Sequence, residues 1–223
     1  MKLQLPILII NFKTYKESVG AHADNLARLC EKVQLQTQKS IAIAVTPADV
    51  NRISSLVSIP VLSQHMDPDE YGSHTGKILA ENLRDNGAVG TLLNHSEDQY
   101  RIDVLEKAVD RARETALISV VCANNADIAE AVAAFHPDFI AVEPPELIGG
   151  DISVSTARPE VIKETVERVH KIADIPVLCG AGVKTKEDVK RALELGAQGI
   201  LLASGIVKAE DPEKILFEMV SVL

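Results

Sequence analysis

Eight short apolar runs alternate with eight stretches of helical period along the chain. The first run, Ile7 to Ile10, is β-branched and stops at Asn11-Phe12-Lys13. A helix is predicted from Ser18 to about Gln38, because Leu26, Leu29, Cys30 and Val33 recur on one face. Strands are then predicted at Ile41–Val45, at Val61–Gln64 and at Gly90–Asn94. Thr46-Pro47 opens a helix after the second of these, and a long polar loop, Met66 to Gly76, follows the third. Ile118–Val121, Phe139–Val142, Val177–Cys179 and Gly199–Leu202 complete the strands. Their helices are signalled by Asn125 as a cap, by Arg158-Pro159, by Thr185 and by Asp211-Pro212.

Strands that are apolar on both faces suit a parallel sheet covered by helices. Eight strand–helix units then predict a (β/α)8 barrel as one domain over residues 1–223, with some helices shortened. An open, doubly wound sheet is the alternative architecture. Composition adds to this picture. The chain has no Trp and only 3% aromatic residues, so its core must be aliphatic. The net charge of −9 disfavours nucleic acid as a partner. Cys30, Cys122 and Cys179 are widely spaced and form no metal pattern, which points to a reducing, cytoplasmic setting. No apolar run is long enough for a bilayer and no signal peptide is read at the N-terminus.

Barrels of this kind place their chemistry at the C-terminal ends of the strands. There the sequence offers Asn11 and Lys13, then His95 and Glu97, then Glu143. The last two strands end in small-residue turns, Gly180-Ala181-Gly182 and Ala203-Ser204-Gly205, whose backbone can approach a phosphate. Each has a plainer reading: tight turns without a ligand, a solvated or ion-paired lysine, a structural histidine. After Glu143 come Pro144, Pro145, Glu146, Leu147, Ile148, Gly149 and Gly150. Prolines at one end and glycines at the other describe a stiff lid with hinges, or else an ordinary surface loop. A helix starting near His95 would keep its imidazole neutral and donating. His22, His65, His74, His136 and His170 are read as surface or structural.

Asn11-Phe12-Lys13, His95-Ser96-Glu97 and Glu143-Pro144, in this order, resemble the three signatures of the triosephosphate isomerase family. The resemblance covers the whole chain, and its lid without Trp, its Gly180-Ala181-Gly182 and Ala203-Ser204 turns and its short length are similar to the compact archaeal branch. It implies an isomerase of glycolysis and gluconeogenesis that needs no cofactor and no metal. Glu143 would be the base, His95 the hydrogen-bond donor, Lys13 the cation, Asn11 an orienting group and Glu97 a positioning group. The substrate would meet Asn11, Phe12, Lys13, Ile148, Gly149, Gly182, Ala203 and Ser204. The third loop would carry Thr75 into a second subunit, in a homodimer or homotetramer. A sugar-phosphate epimerase or synthase, or a phosphometabolite sensor, is the competing reading.

Overall fold

A computed structural model describes residues 3–144 and 153–223. Eight parallel strands close into a barrel in chain order, so the open-sheet alternative falls. They are β1 (Ile7–Asn11), β2 (Ser40–Val45), β3 (Val61–Ser63), β4 (Gly90–Leu93), β5 (Ile118–Ala123), β6 (Phe139–Val142), β7 (Val177–Gly180) and β8 (Gly199–Leu202). β1 closes the ring by pairing with both β2 and β8.

Alternation along each strand divides the apolar residues into two sets. Ile7, Ile9, Ala42, Ala44, Leu62, Leu92, Val120, Ala141, Leu178 and Leu201 form a cluster to which every strand contributes, which fills the barrel. Leu8, Ile10, Ile43, Leu93, Val121, Ile140 and Cys179 face the other way and join the helices in a larger cluster. The sequence reading of strands buried on both faces therefore holds.

The helices are α1 (Ala21–Thr37), α2 (Val50–Ser54), α3 (Ala80–Asp85), α4 (Ile102–Glu114), α5 (Ala126–Ala133), α6 (Val154–Ala157), α7 (Pro159–Ile172), α8 (Lys186–Glu194), α9 (Ser204–Val207) and α10 (Pro212–Val220). Several expected starts are visible as caps. Asn125 accepts from the Ile128 N–H, and Thr185 and Asp188 form a reciprocal capping box. Shortened helices occur at α2, α3, α6 and α9. No described helix is long and apolar enough to cross a membrane.

Candidate active site

Lys13 is held in an unusual conformation at the end of β1. Its φ is 49°, in the left-handed region that non-glycine residues rarely occupy. Two side chains brace it there. The Asn11 side-chain carbonyl accepts the Lys13 N–H at 3.0 Å, and the Gln64 amide donates to the Lys13 carbonyl at 3.1 Å. The buried ammonium then donates to Glu97 at 2.7 Å. Glu97 itself is largely exposed, so the pair fixes a cation at the barrel mouth without burying both charges.

His95 follows β4 by two residues. The Glu97 backbone N–H donates to its Nδ1 at 3.2 Å. A donor at Nδ1 requires a lone pair there, so the neutral ring carries its proton on Nε2. The sequence reading placed a helix N-terminus near the ring, but α4 starts only at Ile102. The group that faces Nδ1 is a backbone amide of the turn. Nε2 points toward Glu143 Oε2, 3.6 Å away, which is a gap rather than a hydrogen bond.

Glu143 leaves the end of β6, with its N–H donating to the Ala123 carbonyl at 2.8 Å. Its side chain is only 7% exposed, yet among the described residues Oε2 has no hydrogen-bond partner. A buried acceptor of this kind is costly in a fold and marks a group able to take a hydrogen from outside the described side chains. Beside it lies Cys122 of β5. Burial, then the charge and hydrogen bonding of Glu143, push that thiol far up, with Lys13 opposing.

Lys13, His95 and Glu143 share one small cavity of about 30 Å³. Asn11, Lys13, His95 and Glu143 line one side, and Gly182, Ala203 and Ser204 line the other. A second opening of about 360 Å³ shares Asn11, Lys13 and His95 and runs outward past Gln64 and Glu97. Lys208 sits with its ammonium 4.0 Å above the Tyr15 ring, adding positive charge at the rim of a chain whose net charge is −9.

The barrel thus gathers Asn11, Lys13, His95, Glu97, Glu143, Gly182, Ala203 and Ser204. It does not bring Phe12 to either opening. Phe12 is fully buried in the outer cluster, because alternation turns it away from the mouth between Asn11 and Lys13. Pro144 is buried directly beside Glu143. The other lid residues, Pro145, Glu146, Leu147, Ile148, Gly149 and Gly150, lie outside the described residues, and with them the substrate contacts expected of Ile148 and Gly149. Tyr15, Gln64 and Cys122 were not singled out for the site by the sequence. Only the spatial neighbours of Lys13 and Glu143 give them a part.

The chain matches the family model described as triosephosphate isomerase over residues 6–221. The triosephosphate isomerase of Methanothermobacter thermautotrophicus is 50% identical over 217 residues, covering 97% of this chain and 95% of that protein. That of Archaeoglobus fulgidus is 48% identical over 221 residues, covering 99% of both. The crystal structure of triosephosphate isomerase from Bartonella henselae superposes with a TM-score of 0.76 over 97% of this chain and 98% of that one. At 18% identity it speaks for the fold alone. Identity near one half along almost the entire length settles the kinship: the chain belongs to the triosephosphate isomerase family.

Proposed function

We propose that the cavity interconverts glyceraldehyde 3-phosphate and dihydroxyacetone phosphate through an enediolate, with Glu143 as the base. The orphaned Glu143 Oε2, 3.6 Å from the protonated nitrogen of His95, carries this reading. Glu143 takes a proton from one carbon and returns it to the next, while the hydroxyl proton passes from the oxygen of one carbon to that of the other. Electrons shift only between adjacent carbons and their oxygens, so the step balances without a redox partner. Negative charge develops on the carbonyl oxygen as the proton leaves. His95 donates to that oxygen from Nε2 and Lys13 attracts it as a point charge, which is electrostatic stabilisation aimed at the transition state. Asn11 orients the carbonyl, and Glu97 acts through its hold on Lys13 and His95. The small residues Gly182, Ala203 and Ser204 let the backbone approach the phosphate, with Ile148 and Gly149 closing from the lid.

Self-association belongs to the same reading. Residues 70–77 form an exposed arm, and Thr75 lies on it. The opening beside Lys13 and Glu97 is of a size to receive such an arm from a second copy. Three buried, unpaired thiols fit a reducing, cytoplasmic setting.

Turnover of glyceraldehyde 3-phosphate by the purified protein and by Glu143→Gln tests the assignment. The variant should bind substrate but lose more than about 4 kcal/mol of transition-state stabilisation, roughly a thousandfold in kcat. Near-normal turnover in the variant would move the base elsewhere.

A further inference from the structure

Asn94 stands between β4 and His95 in a left-handed conformation, φ 59°, and is buried. Asparagine tolerates this region better than most residues, but glycine would adopt it more freely. The side chain explains why a glycine is not there. Its amide Nδ2 donates to the Cys122 carbonyl of β5 at 3.0 Å, and its Oδ1 accepts the Tyr100 N–H at 3.0 Å.

The register of the sheet gives these bonds a purpose. The β4–β5 ladder ends at Leu93 opposite Val121. Beyond it the chain turns away, and the Cys122 carbonyl is reached by the Asn94 side chain. The β5–β6 ladder runs further, to Ala123 opposite Val142. There the Ala123 carbonyl accepts the Glu143 N–H at 2.8 Å. Consecutive carbonyls of β5 therefore hold the two sides of the chemistry. Cys122 anchors the residue before His95, and Ala123 anchors Glu143. Tyr100 extends the brace, since its hydroxyl donates to the Met66 carbonyl at 2.7 Å and ties the His95 turn to the loop after β3.

We propose that Asn94 is a positioning residue that sets the distance between the His95 imidazole and the Glu143 carboxylate, by supplying from its side chain the strand bond that β4 no longer makes. The inference rests on the assignment of His95 and Glu143 given above. A wrong placement of Nε2 by a fraction of an ångström weakens its bond to the developing oxyanion more than it weakens substrate binding. The signature is thus a loss in kcat with KM nearly kept.

Two variants test it. Asn94→Gly keeps the backbone conformation and removes the brace. Asn94→Asp keeps an acceptor for Tyr100 N–H but sets an ionised oxygen against the Cys122 carbonyl; protonation of the new carboxyl would restore a donor. Asn94→Gly should lower kcat about ten- to a hundredfold with KM within about twofold, and should shift the His95 ring ¹⁵N resonances. The ratio of Asn94→Asp to parent kcat should rise as pH falls, a profile that a purely structural asparagine would not produce. Parent-like kcat and His95 resonances in Asn94→Gly, with only a lowered Tm, would overturn the proposal. So would a pH-independent ratio for Asn94→Asp. An active parent and an inactive Glu143→Gln in the same series keep such a failure distinct from failure of the assignment itself.

Discussion

At the scale of single residues, the geometry of the base depends on an absence. A Cβ added at Gly180 would lie 2.2 Å from Glu143 Cγ and 2.8 Å from its Cδ. Those contacts are with a buried side chain that already meets Cys122, and the strand conformation of Gly180 does not itself require glycine. The glycine is there because the carboxylate leans over it. Gly180→Ala should therefore fold and yet displace the base. We expect kcat to drop about tenfold or more, by the logic of a near-attack geometry lost by a small shift. Steady-state kinetics in both directions check this, and unaltered kcat would show that Glu143 has room to relax. The sequence marked Gly180 as part of a small-residue turn for a phosphate. The other reason for its smallness was hidden, because Glu143 becomes its neighbour only when β6 and β7 pair. Phe12 shows the opposite case. The family resemblance implied a substrate contact for it, and strand alternation turned it into the core.

Among the elements, the arm after β3 shows how a loop is fastened at its base while its tip stays free. Asp67 accepts from the Lys77 ammonium at 2.8 Å and from the Ile78 N–H at 2.8 Å, and its own N–H donates to the Ile78 carbonyl at 2.8 Å. Burial alone would raise the Asp67 carboxyl, but the bonds from Lys77 and Ile78, with the charges of His65 and Lys77, outweigh it and hold the group below the usual carboxylate range. A carboxyl depressed by folding contributes stability above its unfolded pKa and loses it as pH falls through its folded pKa. The base of the arm should thus be firm at neutral pH and loosen in acid, below the ordinary carboxylate range. Hydrogen exchange at the Ile78 amide reads this directly. Its protection should fall in acid in the parent, and Asp67→Asn should remove that pH dependence. Equal acid sensitivity in both proteins would assign the change to another group. Here the sequence was legible only in outline. It gave a long polar loop from Met66 to Gly76, but the closing contacts join residues ten or more positions apart. Longer elements with chemical punctuation were easier to read. Asn125, Arg158-Pro159 and Thr185 announced α5, α7 and α8. The four-residue α6 and α9 have too few positions to display a period, and β5 runs two residues past its expected end because β6 extends the pairing there.

For the molecule as a whole, the question is why so much polar chain is left projecting from an otherwise closed barrel. Residues 70–77 are exposed throughout, with Tyr71 72% exposed. Ordering such a segment costs conformational entropy that contacts within one chain do not recover. The opening beside Lys13, Gln64 and Glu97 has the complementary problem, since it leaves the braces of the strained Lys13 turn facing solvent. Inserting the arm of a second copy would answer both at once and by symmetry would do so twice. The two features then become linked properties, and association should support catalysis through Lys13 rather than merely add stability. Replacing the small Thr75 by a long cation tests the linkage, because a guanidinium would be driven toward a turn already occupied by the Lys13 ammonium. Thr75→Arg should reduce the mass measured by sedimentation and lower kcat together, with kcat recovering as protein concentration is raised. A variant that keeps both its mass and its turnover would leave the arm without this role.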